Sequence, residues 1–268
     1  MYSFNYRRAQ SLAEARELLA RTDDAKLLSG GMTLIPTLKQ RLASPSTLID
    51  LGELKELRVL EMRGGKLFVG AAMRHYEVAT SALVREKIPA LASLASQIGD
   101  PQVRNRGTMG GSVANNDPAA DYPSAVLGLG ATVLTTQREI AADDFFKGVF
   151  ETALEPGEII TGFLYPLPRR AAYCKFPHPA SGYAMTGVFV VDTGPGTRVA
   201  VTGAGPGVFR WPEAEAALGK SFAVSSVAGL SYPAEGLNED MHASAAYRAN
   251  LVAVMCRRAV AAITGEPA

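Results

Sequence analysis

The most constraining feature of the sequence is a polar, glycine-rich stretch between Gly99 and Asp121. It contains four glycines, two prolines, two arginines and three aspartates, with almost no apolar periodicity, which predicts a long loop held by a scaffold. Gly110 and Gly111 let the backbone approach a ligand closely and adopt conformations that other residues resist. Consecutive amide groups in such a turn converge into a concavity that binds anions. The stretch therefore predicts an anion site of unspecified ligand.

A second, shorter glycine turn, SGGMT, lies far upstream at Ser29–Thr33. A strand pattern at Ala25–Leu28 leads into it and a helical pattern follows it to Leu42, so free backbone donors and the positive end of a helix are presented to an anion. Hydroxylated residues flank both glycine pairs, namely Ser29, Thr33, Thr108 and Ser112. Taken singly, each pair is more often just a tight turn. Together the two turns suit a diphosphate, because amides and hydroxyls donate hydrogen bonds without full charge neutralisation.

The composition is that of a soluble globular protein. The 268 residues are 47% hydrophobic and 20% charged, with a net charge of +1, which favours neither nucleic acid nor an acidic membrane surface as a partner. Two cysteines, Cys174 and Cys256, are too few for a disulfide framework or a cysteine-bound iron–sulfur cluster. No apolar run approaches the roughly 20 residues that span a bilayer, and the polar N-terminus lacks the centre of a signal peptide. We expect a cytoplasmic protein.

The pattern of elements changes at the proline-rich segment Pro166–Arg170. Helical and strand patterns are mixed before it. Three apolar or alternating runs separated by turns follow it, at residues 172–176, 187–192 and 198–202, and they predict a small antiparallel sheet. Ser244–Thr264 is the strongest helical pattern, with Tyr247, Leu251 and other apolar residues on one side. The chain is therefore predicted to have two parts.

Other reactive side chains give weaker signals. His75, His178 and His242 lack metal-ligand spacing, so surface or packing roles are favoured. The GAGPG segment at Gly203–Gly207 has its third glycine misplaced for a dinucleotide fingerprint and predicts a plain loop. Lys175, among apolar residues in YCKF, is about as consistent with an exposed strand face as with a functional role. Asp117 and Asp121 suit turns and caps, although a carboxylate also accepts hydrogen bonds from ribose hydroxyls.

Three segments carry a family resemblance. The segments SGGMTLIP, QVRNRGTMGGSVANNDPAADYP and KFPHPASGYAMTGV resemble the FAD-binding medium subunit of the molybdenum hydroxylases, a family that includes carbon monoxide dehydrogenase and xanthine dehydrogenase. The resemblance implies an α+β fold. It has an FAD-binding domain at residues 1–168, similar to that of vanillyl-alcohol oxidase, with two subdomains that meet near residues 52–60. A C-terminal domain at residues 169–268 has a small antiparallel sheet and helices.

The resemblance also implies a set of FAD-binding residues. Those that would wrap the pyrophosphate are Leu27, Leu28, Ser29, Gly30, Gly31, Met32, Thr33, Leu34, Thr108, Met109, Gly110, Gly111 and Ser112. Those matching other positions at the cofactor, mostly on the flavin side, are Ile98, Asp121, Ile160, Lys175 and Tyr183. Met32 departs from the family, where Gln or His is usual, so any side-chain contact from that position is lost. No catalytic residue and no metal ligand is predicted.

The resemblance implies partners as well. A large subunit would hold the molybdenum cofactor, and a small subunit would pass electrons through two-iron, two-sulfur clusters to FAD, as a dimer of heterotrimers. One alternative is a self-contained FAD oxidoreductase of related fold that acts on a small molecule. Another is a nucleotide-binding or assembly subunit that has lost its flavin.

Overall fold

The structure is a computed structural model that describes residues 1–268. Its strands are β1 Asn5–Arg8, β2 Ala25–Leu28, β3 Thr47–Asp50, β4 Leu60–Arg63, β5 Lys66–Gly70, β6 Thr132–Thr135, β7 Glu139–Ala141, β8 Phe146–Gly148, β9 Glu151–Thr152, β10 Ile160–Tyr165, β11 Arg170–Pro177, β12 Ala184–Asp192, β13 Thr197–Thr202 and β14 Phe209–Arg210. Its helices are α1 Leu12–Arg21, α2 Leu34–Lys39, α3 His75–Thr80, α4 Ala82–Lys87, α5 Pro89–Ser96, α6 Pro101–Arg106, α7 Met109–Asn115, α8 Tyr122–Gly128, α9 Ala142–Phe145, α10 Pro212–Lys220, α11 Val224–Val227 and α12 Ala245–Thr264. A single turn of 3-10 helix occupies Lys55–Leu57.

The first sheet is small and parallel, with the order β1-β3-β2. Helix α1 connects β1 to β2 and begins at Ser11, whose Oγ accepts a hydrogen bond from the Glu14 amide at 3.1 Å. The Glu14 carboxylate in turn accepts from the Gln10 amide at 2.7 Å, which satisfies a second donor ahead of the helix. Helix α2 connects β2 to β3, so the first glycine turn lies at the end of β2, on one edge of this sheet.

The second sheet is antiparallel, with the order β4-β5-β10-β6-β7. Helices α3, α5, α7 and α8 contribute buried side chains to the same core as its strands. That core includes Leu91 on α5, Val126 on α8 and Phe163 on β10, all fully buried. The segment from Gly99 to Asp121 runs between α5 and α8 and is therefore supported by the largest core in the chain.

The third sheet, β11-β12-β13-β14, is buried on both faces of its central strand β12. Phe189 and Val191 belong to the core of the second sheet, whereas Val188 and Val190 belong to a separate core that includes buried residues of α12. Alternate residues of a strand point to opposite faces, which explains this division. The third sheet thus forms a layer between the α8 side of the molecule and the C-terminal helix.

The α+β class predicted from the sequence agrees with these mixed helices and sheets, but one prediction within it is wrong. The stretch from Gly99 to Asp121 is not a continuous loop, because it contains the two short helices α6 and α7. Asp100 starts α6, with Oδ1 accepting from the Val103 amide at 2.8 Å. Thr108 starts α7, with Oγ1 accepting from the Gly111 amide at 3.2 Å. Asp100 and Thr108 thus stabilise helix starts in a stretch whose glycines by themselves predict a loop.

The other expected elements lie within a few residues of their predicted positions, namely β2, α2, the three runs of the third sheet and α12. Tyr247, expected on the apolar side of α12, is 42% exposed, because the buried face of that helix is centred on Val252, Cys256 and Ala259, which leaves Tyr247 beyond its edge. The Gly203–Gly207 segment is a loop, as expected. None of the helices combines the length and the apolar composition that a membrane crossing requires. The domain boundary near residue 168 and the subdomain boundary near residues 52–60 stay predictions.

We expect Phe189→Ala to lower the free energy of unfolding by about 3–5 kcal/mol, because it leaves a cavity in the layer that joins the third sheet to the main core. Urea denaturation followed by circular dichroism measures this loss. Phe150→Ala is the matched control, since that ring is 59% exposed and its removal is expected to change the free energy by no more than about 0.5 kcal/mol. Equal losses in the two variants would contradict the assignment of Phe189 to a shared core.

Candidate cofactor-binding site

The two glycine turns, distant in sequence, are in direct contact. The Ser29 and Thr108 hydroxyl oxygens are 2.9 Å apart and share a hydrogen bond. At Gly30 the backbone of the first turn lies against the segment just before the second turn. A Cβ at Gly30 would overlap the Arg106 carbonyl oxygen and lie 2.8 Å from the Gly107 Cα. Only glycine permits this approach, so the pair forms one structural unit.

The backbone amides of the first turn are left without protein acceptors. None of the N–H groups of residues 29–33 donates a hydrogen bond within the chain. Gly31 has a φ of +73°, which places it in the left-handed region and turns the chain between β2 and α2. Orphaned backbone donors are costly unless water or a ligand accepts from them. Five adjacent free donors therefore indicate a site for an acceptor-rich ligand.

The second turn is fixed from behind by the connection between β5 and α3. The Met109 amide donates to the Met73 carbonyl at 3.0 Å, and the Gly110 amide donates to the Ala71 carbonyl at 2.8 Å. A Cβ at Gly110 would lie 2.6 Å from the Ala71 Cβ, so this turn too is pressed against a neighbouring backbone. Gly111 is exposed, and the turn presents it to the space in front of it.

That space is a cavity of about 1200 Å³. The predicted site residues that line it are Leu27, Ser29, Gly30, Gly31, Met32, Thr33, Leu34, Ile98, Thr108, Gly110, Gly111, Ser112, Asp121, Ile160 and Tyr183. Leu28, Met109 and Lys175 do not line it. Met109 is fully buried behind the second turn, with its sulfur 3.3 Å from the Tyr165 hydroxyl.

A buried charged group lies at the edge of the cavity. The Asp121 carboxylate is 4% exposed and lies 2.9 Å, through Oδ1, from the Lys175 ammonium. The Tyr173 hydroxyl donates to the same oxygen at 2.6 Å. Burial raises the pKa of the Asp121 carboxyl, and the Lys175 ammonium opposes that rise. Oδ2 receives no hydrogen bond from any other side chain, which leaves one carboxylate oxygen free as an acceptor.

Sequence reasoning missed one wall of the cavity, which the segment Leu154–Ile159 supplies. Glu158 holds this wall, because its buried carboxylate accepts from Arg138 at 3.0 Å, from Thr135 at 2.7 Å and from the Glu155 amide at 2.8 Å. Although burial alone would raise the pKa of Glu158, these hydrogen bonds lower it to about 2. In the sequence, the Pro156–Gly157 pair predicts a turn within this segment, and that turn lies at the cavity wall. Further missed lining residues include Thr22, Asp23, Asp24, Lys26, His75 and Asp117.

Comparisons with known proteins assign this arrangement to a family. Residues 2–168 match the family described as the FAD binding domain in molybdopterin dehydrogenase. The chain belongs to this family. It is 35% identical to the nicotine 6-hydroxylase medium subunit of Paenarthrobacter nicotinovorans, with 96% of both chains covered. It is 33% identical to the carbon monoxide dehydrogenase medium chain of Afipia carboxidovorans, again with 96% of both covered.

The structural comparison agrees. Reconstituted CO dehydrogenase from Oligotropha carboxidovorans contains a chain that matches with a TM-score of 0.90 and 31% identity, covering 99% of both chains. The family resemblance, fold class and FAD cofactor inferred from the sequence are thereby confirmed. The protein is an FAD-binding oxidoreductase subunit of the molybdenum hydroxylase class.

The residues present fit FAD. The free amides of residues 29–33 and the cavity-lining hydroxyls of Thr33 and Ser112 match a diphosphate, which offers only acceptors. The free oxygen of Asp121 matches a donor group, and Ile98, Ile160 and Tyr183 offer apolar surface to a flat ring system. No cluster of three or more His, Cys, Asp or Glu side chains is placed to hold a metal ion.

The buried histidine at the cavity wall gives a prediction about pH. His75 is 4% exposed, packs on Tyr122 with ring centroids 5.2 Å apart, and has no partner at Nδ1. Burial, with a smaller contribution from Arg104, lowers the pKa of His75 from 6.5 to about 4. The unfolded chain therefore binds a proton at a higher pH than the folded chain does, and stability is lost as the pH falls from 6.5 towards 4.

We expect this group to remove up to about 3 kcal/mol of the free energy of unfolding over that interval. Urea denaturation at a series of pH values measures the slope. His75→Gln, which cannot charge, should show a shallower slope in the same interval. If the two proteins have parallel pH profiles, His75 is not buried in its neutral form.

Proposed function

We propose that this chain is the FAD-binding medium subunit of a three-subunit molybdenum hydroxylase and relays electrons from a partner's iron–sulfur clusters to a terminal acceptor. The observation that carries the proposal is the joined pair of glycine turns. Their contact leaves the five amides of residues 29–33 unpartnered at the wall of a large cavity. Family membership supplies the identity of the ligand that those donors would hold.

The proposal gives the cavity residues distinct tasks. The amides of residues 29–33, with the hydroxyls of Thr33 and Ser112, bind the diphosphate and fix its position along the cavity. Asp121 accepts a hydrogen bond through its free oxygen, and Ile98, Ile160 and Tyr183 shield the ring from water. When bound, FAD supplies the redox chemistry, while the protein supplies binding and orientation. No side chain of this chain is assigned a proton-transfer step.

The proposed partners are a small iron–sulfur subunit and a large subunit with the molybdenum cofactor. The relatives' names, "medium subunit" and "medium chain", support this arrangement. Both cysteines of this chain are free thiols, one of them buried, so the chain offers no cysteine set for a cluster of its own. Assembly as a dimer of heterotrimers and a cytoplasmic location are part of the same proposal.

A self-contained FAD oxidoreductase is less well supported. Relatives that match nearly the whole length of this chain are named as subunits rather than as complete enzymes. A subunit without flavin is also disfavoured, because every backbone donor of the first turn stays free for a ligand even with Met32 in place.

The proposal predicts that the chain binds FAD and becomes yellow on reconstitution. Gly30→Ala should lose most of this binding, because a Cβ there would drive the two turns apart. Overpacking of this kind costs about 1–3 kcal/mol, which corresponds to a loss of affinity of roughly fivefold to more than a hundredfold. Gly207→Ala is the matched control, since a Cβ at Gly207 meets nothing within 4 Å. Quenching of flavin fluorescence on binding gives both dissociation constants.

The outcome that rules out the proposal is a folded, colourless chain that takes up no FAD, together with failure to co-purify with an iron–sulfur subunit and a molybdenum subunit when the three are co-expressed. Turnover of a small substrate by the isolated chain would instead favour the self-contained oxidoreductase.

The departure at Met32 gives a second prediction. Met32 lines the cavity beside the free amides, where its thioether offers no donor. We expect Met32→Gln to tighten FAD binding by up to about tenfold, the value of one added hydrogen bond. Met32→Leu, an apolar change of similar volume, should leave the dissociation constant nearly unchanged. Equal dissociation constants for Met32→Gln and Met32→Leu would show that this position does not face the cofactor.

A further inference from the structure

Lys175 contacts three separate segments of the chain. Its ammonium donates to the Gln97 carbonyl at 2.8 Å and to the Gly182 carbonyl at 2.9 Å, and it lies 2.9 Å from Asp121 Oδ1. The three N–H donors of a lysine ammonium are thus matched by three oxygens. The Lys175 side chain is only 2% exposed, so no solvent competes for these donors.

Each of the three segments forms part of the cavity wall, whereas Lys175 itself does not. Ile98 and Gly99 follow Gln97, Tyr183 follows Gly182, and Asp121 reaches the cavity directly. Lys175 therefore lies behind the wall, at the point where the end of α5, the β11–β12 turn and the start of α8 meet.

The β11–β12 turn, residues 178–183, is joined to the cavity wall by this contact. Within the turn the His178 amide donates to the Tyr183 carbonyl at 2.7 Å and the Gly182 amide donates to the His178 carbonyl at 2.9 Å. Those bonds set the shape of the turn, and at its start the His178 ring packs on the His242 ring with centroids 4.5 Å apart. Lys175 supplies a tie from the Gly182 carbonyl to Gln97 and Asp121.

We propose that Lys175 is a positioning residue, which holds the Ile98, Asp121 and Tyr183 walls at a fixed spacing and does not itself touch FAD. This inference rests on the proposed FAD site, and it gives Lys175 a different task from the direct flavin contact that the family resemblance implies. The ammonium also compensates the charge of Asp121, so that the second carboxylate oxygen stays available at the cavity.

Tyr173 provides a way to separate these roles. Its hydroxyl donates to the same Asp121 oxygen, but it makes no bond to Gln97 or Gly182. Its ring packs on Phe189 at 6.0 Å between centroids, which fixes it independently of the turn. Tyr173→Phe therefore weakens the support of Asp121 alone, whereas Lys175→Met removes all three ties at nearly constant side-chain volume.

The test is amide hydrogen exchange, read by mass spectrometry on residues 97–99 and 178–183 of the 268-residue chain with and without FAD. We expect Lys175→Met to speed exchange in the 178–183 turn by about tenfold or more, in both states. We expect it to raise the FAD dissociation constant by about tenfold and to change the visible circular dichroism of the bound flavin. Tyr173→Phe should leave exchange in the turn within about twofold of wild type.

Lys175→Met leaves Asp121 as an uncompensated buried charge, which can prevent folding. The double variant Asp121→Asn/Lys175→Met removes both charges and keeps the shapes, so it folds under less strain. It too should show the faster exchange in the turn, because the ties to the Gln97 and Gly182 carbonyls are still missing. A double variant with wild-type exchange would overturn the proposal.

Two other results would also overturn it. If Lys175→Met weakens FAD binding while exchange in the turn stays at the wild-type rate, Lys175 acts on the cofactor directly. If Lys175→Met changes neither the exchange rate in the turn nor the FAD dissociation constant, Lys175 does not position the cavity wall. The exchange measured without FAD does not depend on the cofactor. Failure of the wild-type chain to bind FAD would therefore reject the proposed function, while the exchange rates would still decide whether Lys175 holds the turn in place.

Discussion

The backbone contact between the two glycine turns is the constraint on which the rest of the structure depends. Gly30 lies so close to Arg106 and Gly107 that no side chain fits between them, and the Ser29–Thr108 hydrogen bond fixes the register of the approach. This contact joins the Ser29–Thr33 turn of the first sheet to the Gly99–Asp121 segment, which packs on the largest core. The amides of residues 29–33 donate to no acceptor within the chain and so remain free. The cavity lies in front of this contact.

The walls of the cavity are positioned from outside it. Lys175 ties together three wall segments from behind, and the Glu158–Arg138 pair holds a fourth at Leu154–Ile159. In both places a buried ionic group satisfies backbone carbonyls or amides as well as its charged partner, which is the condition under which burial of a charge is tolerated. The residues that would meet the cofactor are then mostly backbone amides, apolar side chains and one carboxylate. Positioning and contact are thus assigned to different residues.

Much of this organisation was predictable from local pattern. Apolar and alternating runs predicted the strands of the third sheet, and apolar periodicity predicted α12, because these signals depend on neighbours a few residues apart. Helices α6 and α7 were missed because the caps Asp100 and Thr108 stand in a stretch whose glycines argue for a loop. The place of Lys175 was equally inaccessible, since strand alternation assigns it a face but does not show that a turn and a helix end cover that face. Contacts between distant segments, such as the 4.5 Å approach of the His178 and His242 rings, leave no local signal.

Burial of β12 on both faces limits where this chain can be divided into fragments. Tyr173, Phe189, Val191 and Ala200 complete a core whose other members come from earlier in the chain. A fragment that ends at residue 168, where the family match ends, would therefore expose the apolar surface that these side chains cover. Chimeras that exchange flavin modules between relatives need to move β11, β12 and β13 with the glycine turns. The segments that must be exchanged together are those that share one core, and they extend beyond residue 168.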